Sequence, residues 1–205
     1  SGFMIDLPHE LTSDDYSGAG DDRAMIALNR QAIAFARAAV EEYDIDRNFF
    51  DPVGKVNGAA SDTAHAHNVS YAQHLASLGE SSQLLDAAAM HDLTGSRHYQ
   101  SGLYTPGTVM LQPAGYIQGL ARGLNRDGVT ILEKSPVTQM HREHGAWTLT
   151  TPRGSISAGR VILTVNGHLD SFGFEKGRLM QLFLFAVMTP DLDHDSLSKL
   201  GGQSR

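Results

Sequence analysis

The 205-residue chain contains no cysteine. That absence removes disulfides, thiolate nucleophiles and Cys-ligated zinc or iron–sulfur centres together. It also suits a reducing compartment, and a cytoplasmic location is the expectation. Positive charge is scarce: 16 Lys and Arg stand against 23 Asp and Glu, for a formal net charge of −7. A nucleic-acid binder needs a basic stripe to neutralise phosphates, and no such stripe exists here. Long hydrophobic runs are missing too. The most apolar stretch, LMQLFLFAVM at 179–188, falls short of the ~20 residues of a membrane helix and carries Gln181. It reads as a buried strand. No charged n-region followed by an apolar h-region is seen, so no signal peptide is expected.

What is present is an ordinary globular composition, 41% hydrophobic and 19% charged. A chain of this length buries roughly 70% of its unfolded surface. The opening SGFMID and the closing GGQSR lack the signs of finished termini, and the expectation is an internal piece of a longer protein.

Periodicity orders the middle of the chain. Residues 1–20 read as loop. After Asp21, a plausible N-cap, Met25, Leu28, Ala32, Ala36, Val40 and Tyr43 recur at helical steps. The segment 49–61 reads as a short strand with a turn or bulge at Asn57-Gly58. Residues 62–78 read as a helix with Asn68, Tyr71, Leu75 and Leu78 on one side and Gly79 as C-cap, followed by a short helix around 82–90. Two strands flank Thr105-Pro106-Gly107, a turn signal. Pro113 opens a helix over 113–125 with Ile117, Leu120, Ala121 and Leu124 as its apolar stripe. From 129 the chain is β-rich: 129–134, 136–143, 146–152, 155–159 and 160–166. The expected class is α+β, with a parallel-type element where the helix 113–125 leads into 129–134.

Several short motifs dissolve on inspection. Gly18-Ala19-Gly20 precedes a helix, but it lacks a leading strand and a third glycine, and Asp21-Asp22 would repel a pyrophosphate. His65, His67 and His74 lack metal-ligand spacing and read as solvated. Ser196-Leu197-Ser198-Lys199 matches a Ser-x-x-Lys pattern without its partner motifs, and no Gly-x-Ser-x-Gly elbow exists. The stretch VILTVNGHLDSFGF (161–174) is different. Its strand is apolar on both faces and ends in Thr164, Val165, Asn166 and Gly167, with no returning strand behind it. Ligands of open sheets gather at such strand ends, so a ligand site is favoured over a plain turn.

Five segments in order carry a family resemblance: SGFMIDLPHEL (1–11), YTPGTVMLQPAGYIQGLARGL (104–124), GVTILEKSPVTQM (128–140), GSISAGRVILTVNGHLDSFGF (154–174) and GRLMQLFLFAVMT (177–189). The chain resembles the D-amino-acid-oxidase-like family of FAD-dependent oxidoreductases, the group of glycine, sarcosine and γ-glutamylputrescine oxidases. The resemblance implies an antiparallel or mixed substrate-domain sheet with helices, interleaved with part of a glutathione-reductase-type FAD domain. In these terms 1–44 is a flavin-proximal loop and long helix, and 45–127 is part of the substrate domain. Residues 128–170 are then a partial FAD domain, and 171–205 a substrate-domain strand with a truncated end.

The resemblance also implies site residues. Gly2, Phe3 and Met4 pass beside the flavin, Val137 presents its backbone to the adenine, and Thr164, Asn166 and Gly167 form a second FAD contact. His91, Tyr99, Tyr104 and Met110 are candidates for the substrate pocket. No catalytic residue is assigned and no metal is expected. The implied reaction is oxidation of a small amine or amino acid at its C–N bond, by hydride transfer to flavin. The Gly-x-Gly-x-x-Gly unit that holds the pyrophosphate is not in the sequence, so weak FAD binding or none is expected of these residues alone. Two alternatives stay open: a dehydrogenase that uses an acceptor other than oxygen, and an inactive folded module. Exposed strand edges would leave a homo-oligomer open.

Overall fold

A computed structural model describes residues 2–8, 22–187 and 189–200. The Gly18-Ala19-Gly20 loop and the Asp21 cap lie outside the described residues. The chain divides into two compact units, Ser1–Val129 with Asp191–Arg205, and Thr130–Pro190. The class is α+β, and every strand pairing among the described residues is antiparallel.

In the first unit, β1 (Phe3–Met4), α1 (Asp22–Glu42), β2 (Phe50–Asp51), β3 (Lys55–Ala59) and α2 (Asp62–Leu78) come first. They are followed by β4 (Gln83–Asp86), α3 (Ala87–Thr94), β5 (Ser101–Thr105), β6 (Val109–Leu111) and α4 (Pro113–Arg126). Two three-stranded sheets result, ordered β1-β6-β2 and β3-β5-β4. The two strands around Thr105-Pro106-Gly107 form as expected, but each joins a different sheet, so the turn is a crossover and not a hairpin. Asn57-Gly58 is no turn either, because both residues sit inside β3 and pair with Leu103 and Gly102. The ladder supplies partners that a lone turn signal cannot foresee. The expected helix at 82–90 begins later: residues 83–86 pair with β5, and Asp86 then caps α3 by accepting from the Ala89 N–H at 2.8 Å.

Each sheet carries its own core. Ile33, Ala36, Val40, Ile45, Phe50, Val109 and Tyr116 form one, with Met4, Leu111 and Leu120 against it. Leu7, Ile26, Tyr71, Leu75 and Leu103 form the other. Helix α1 serves both. Its buried face is Ile26, Ile33, Ala36, Ala39 and Val40, while Met25 and Leu28 of the expected stripe are exposed. The phase differs in the first half of the helix, where half-buried Asn29 and half-exposed Arg30 stand between Ile26 and Ile33 and break the apolar signature. Helix α2 matches expectation: Ser61 caps its start, and Gly79 ends it at φ 82°, with Glu80 N–H donating to Leu75. Of the histidines expected in solvent, His65 is exposed yet hydrogen-bonded, and His74 is mostly buried and held in place. His65 Nδ1 meets Ser101 Oγ at 2.7 Å, and His74 Nε2 meets Asp22 at 2.7 Å.

The helix α4 begins at Pro113, as the sequence predicts, and Leu120 of the expected stripe packs against the core, but the buried face is turned away from Ile117. Ile117 is exposed, and the contact is made by Tyr116 and the stripe Gly115, Gly119, Gly123. A Cβ at these glycines would stand 2.6 Å from the Phe49 ring, 2.9 Å from Ile45 and 2.1 Å from Tyr43. Small residues at every fourth position let the helix sit directly on its neighbours.

A buried carboxylate joins the layers. Asp6 is 1% exposed. Its Oδ2 accepts from Arg30 at 3.2 Å, and its backbone carbonyl accepts from Asn29 Nδ2 at 3.3 Å. Arg30 also bonds Glu80 Oε1 at 3.1 Å. Opposite lies the turn 105–108, where a Cβ on Gly107 would fall 1.9 Å from the Asp6 carboxylate. Burial pushes the Lys55 ammonium below its ordinary pKa, with the Asp6 charge opposing that shift. Tyr71 Oη donates to the Pro8 carbonyl, and Leu111 N–H to Gly2 O at 2.7 Å, so the segment 2–8 is tied at both ends.

The second unit is a meander of β7 (Gln139–Glu143), β8 (Ala146–Thr151) and β9 (Gly154–Ala158), followed by a 3-10 turn over Asn166–Phe172. Three expected strands do not form. Residues 129–134 and 160–166 join no ladder, and Ile162 is 87% exposed. In 179–187, likewise without a ladder, Leu184 is 91% exposed and Phe185 95%. A strand apolar on both faces needs neighbours on both sides, and the described residues supply none. Helix α5 (His194–Leu200) holds the Ser-x-x-Lys sequence, with Ser196 N–H capped by Asp193 at 2.8 Å.

Four variants test this account. Gly123→Ala should destabilise the first unit by about 1–3 kcal/mol, because overpacking against Tyr43 outweighs the ~1 kcal/mol gain in helix propensity. Arg30→Met should cost about 2–4 kcal/mol by stripping the countercharge from a buried carboxylate. Glu80→Gln, at the solvent end of the network, should cost under ~1 kcal/mol. The double variant Arg30→Met with Asp6→Asn should recover part of the loss. Urea midpoints measure all four.

Candidate functional site

The residues expected beside a cofactor fall in both units. In the first, Gly2, Phe3 and Met4 lie on or beside β1 at the edge of the β1-β6-β2 sheet. Phe3 stands opposite Met110 and Met4 opposite Val109. Strand alternation then sorts them. Met4 packs into the core, while Phe3 and Met110 are 51% and 47% exposed on the outer face. The structure therefore joins one expected flavin neighbour to one expected pocket residue. Asp51, across β2, completes the row opposite Met110. The sequence reading missed it, because a single Asp before Pro52 looks like turn chemistry.

The other pocket candidates lie elsewhere. Tyr104 is on β5, and its Oη donates to Val53 O at 3.2 Å while its ring covers Gly54, where a Cβ would stand 2.7 Å away. It therefore braces the link between β2 and β3. The Tyr99 ring lies over Gly58, with the His98 ring edge-on at 5.2 Å. His91 is in the last turn of α3, its ring half exposed and 3.9 Å from Asp92. The structure does not bring Tyr99 or His91 to the Phe3–Met110 row. Ser101 and His65 form a Ser–His contact, but Ser101, the first residue of β5, is 5% exposed, which suits bracing rather than nucleophilic attack. Among the described residues no group of three or more His, Asp or Glu could hold a metal ion.

In the second unit Val137 lines a cavity of about 570 Å³ together with Thr138, Gln139, Met140, His141, Ser171 and Phe172. That volume lies within the range of small-molecule sites. The lining brings together an aromatic, a thioether and an imidazole side chain, groups of the kind that suit a flat heteroaromatic base. Phe172 and His141 were invisible to sequence reasoning, since the cavity arises where the 3-10 turn ends beside β7. Thr164 is exposed and belongs to no strand. Asn166, at φ 50°, and Gly167 open the 3-10 turn. The Gly167 carbonyl accepts from Gln181 Nε2 at 2.7 Å, and a Cβ there would crowd the same side chain. The turn is thus closed by Gln181 in this structure.

Comparison with known proteins supplies the context. Residues 6–203 match the FAD dependent oxidoreductase (DAO) family. The chain is 33% identical over 88 residues to the probable oxidoreductase OrdL of Haemophilus influenzae, a match covering 43% of this chain and 20% of that protein. It is 36% identical over 63 residues to mitochondrial dimethylglycine dehydrogenase of Rattus norvegicus, covering 30% of this chain and 7% of that one. Among solved structures, glycine oxidase from Geobacillus kaustophilus superposes with a TM-score of 0.61 at 16% identity, over 78% of this chain and 42% of that chain. L-proline dehydrogenase from P. horikoshii does so at 0.61 and 14%, over 82% and 43%. These last two similarities speak to fold alone, and the chain spans about two fifths of the length of those solved chains. With nearly its whole length matched, the chain belongs to the FAD dependent oxidoreductase family.

Proposed function

We propose that this chain is part of a flavoprotein that oxidises a small amine or amino acid at its C–N bond. The observation that carries the reading is the conjunction of the family match over 6–203 with the cavity at Val137. Bound FAD would supply the two-electron acceptor for that oxidation. The chain's own residues bind and orient. Val137, Met140, His141 and Phe172 would hold the adenine, and Thr164, Asn166 and Gly167 would add a second contact once Gln181 releases the turn. Gly2 and Phe3 would border the isoalloxazine. Met4, packed in the core, would fix the strand that carries them.

In this reading 1–44 and 45–127 serve the flavin edge and the substrate domain, 128–170 is a partial FAD domain, and 171–205 returns to the substrate domain. The absence of cysteine favours a cytoplasmic setting. Glycine oxidase and L-proline dehydrogenase are the names of structural neighbours, and those names support the reading of a small amine or amino acid as substrate. They also leave both oxygen and another acceptor open.

The unmet part of the cofactor is its pyrophosphate: no Gly-x-Gly-x-x-Gly unit occurs in the sequence. Backbone N–H groups and a helix dipole normally supply that contact. FAD titrated into this chain should therefore bind only in the micromolar to millimolar range, about 4–8 kcal/mol, with the Met140 methyl resonance shifting on addition. Phe172→Ala should weaken that binding several-fold. A stoichiometric yellow preparation would overturn the weak-binding expectation. In the flavin-loaded protein that contains this chain, anaerobic bleaching of the flavin by an amine supports the reaction, and no bleaching by any amine or amino acid refutes it. Hydrogen peroxide release then separates an oxidase from a dehydrogenase.

A further inference from the structure

We propose that the turn between β5 and β6 encloses a structural water site, held by the Asp6 carboxylate and the hydroxyls of Thr105 and Thr108. The inference stands independently of the functional reading above.

The fold gathers three oxygens at one turn. Pro106 and Gly107 form its centre, and Thr105 and Thr108 are its corners, which brings the corner Cα atoms within about 7 Å. The Asp6 carboxyl group lies against the centre: a Cβ on Gly107 would fall 1.9 Å from Oδ2 and 2.7 Å from Oδ1. Glycine is what lets the acid come so close. All three side chains are out of solvent, Asp6 at 1%, Thr105 at 0% and Thr108 at 2% exposure.

Their neighbouring groups are engaged. Asp6 Oδ2 accepts from Arg30, and the Asp6 carbonyl from Asn29. The Thr108 carbonyl accepts from Gly54 N–H at 2.8 Å, and Thr105 stands in the ladder opposite Lys55. Asp6 Oδ1, Thr105 Oγ1 and Thr108 Oγ1 are left, and none bonds a protein group or one another. Among the described residues they are the buried side-chain polar atoms without a partner, and all three fall at the same turn.

That clustering describes a ligand. A buried polar group without a partner bears its full desolvation cost, and ordered water, at about three hydrogen bonds each, is the usual remedy. Water fits by donor count, because an ionised carboxylate oxygen only accepts, whereas a hydroxyl both donates and accepts. One water donating to Oδ1 and to one threonine, and accepting from the other, gives every oxygen a bond. A cation suits the oxygens but not the charge. The Arg30 guanidinium already holds Oδ2 at 3.2 Å, and the Lys55 ammonium feels the same carboxylate. A third positive charge there would be repelled, so the site selects a neutral ligand. Its consequence is mechanical. Asp6 follows β1 and Thr108 precedes β6, and those two strands pair, so the water ties the exit of one to the entry of the other.

The test uses the whole 205-residue chain. In a crystal structure at atomic resolution, one peak is expected about 2.6–3.2 Å from each of the three oxygens. Thr105→Val and Thr108→Val keep the side-chain shape and delete one hydroxyl each. Deleting an unpartnered hydroxyl is neutral or stabilising, whereas deleting one that holds the water removes a real bond. Each variant should therefore lower the folding equilibrium constant about fivefold, read from urea midpoints. The double variant should lose less than the product of the two, since the same water is lost once. A missing peak, a direct Thr–Asp6 hydrogen bond in its place, a neutral or stabilising effect of both valines, or fully multiplicative losses overturns the proposal. Anomalous scattering from soaked rubidium at the site overturns it as well, by showing a cation there. If the valine variants fail to fold, the peak in the unaltered chain decides alone.

Discussion

The first unit depends on a charge held out of water. Asp6 lies at 1% exposure, where an unpaired carboxylate would cost several kcal/mol. Arg30 offsets that cost at the carboxylate, and Asn29, the preceding residue of α1, holds the Asp6 backbone carbonyl. This fixes the rotation and the height of the helix at once. With Arg30 at Asp6, Ile26 falls into the core under β3-β5-β4, and Ile33, Ala36 and Val40 fall into the core under β1-β6-β2. The same carboxylate rests against Gly107, so the turn that hands the chain from β5 to β6 is positioned by the same contact. Asp6 Oδ1 and the hydroxyls of Thr105 and Thr108 find no partner among the described residues. The clamp is therefore incompletely satisfied, which is the condition under which removing its one strong countercharge hurts most.

From the clamp outward, the site residues inherit their places. Because Asp6 is anchored to α1 and Pro8 O to Tyr71, β1 is delivered to the β6 edge with Leu111 N–H bonded to Gly2. Behind the sheet the glycines of α4 let Tyr43, Ile45 and Phe49 sit against helix backbone. That layer is closely packed. Rigidity of the supporting layer matters because binding groups lose discrimination when their scaffold yields.

Local signals were legible, and partnered ones were not. Ser61, Gly79 and Pro113 mark helix ends through backbone chemistry that needs no distant neighbour, and each performs that role. The meander β7-β8-β9 was readable because its strands pair with their sequence neighbours. The first half of the α1 face was misphased because Asn29 and Arg30 turn polar groups toward Asp6, which lies 23 and 24 residues away. Helix α4 was misphased because close packing was made by glycines, which hydrophobicity cannot see. Of the candidate site, Phe3, Met110 and Val137 were named in advance. Asp51, His141 and Phe172 depended on register and on a fold-back that no local pattern encodes.

The unpaired segments carry the same lesson in the opposite direction. An apolar sequence states how much surface a segment can bury; it does not state whether a partner is at hand. Residues 160–166 and 179–187 are written for burial, yet Ile162, Leu184 and Phe185 are 87%, 91% and 95% exposed. Each Å² of that surface retains about 25 cal/mol of driving force toward cover, and exposed apolar surface of this extent marks contact sites. The chain matches only 42% of the length of its glycine oxidase neighbour. The cofactor residues expected at 164–167 sit in one of these segments, and there Gln181 occupies the turn. The Asp51 row lies on a paired sheet and the Val137 cavity beside one, so both are formed within the described residues. The 164–167 contact rests on a segment without a ladder, and its geometry follows whatever strand comes to lie beside it.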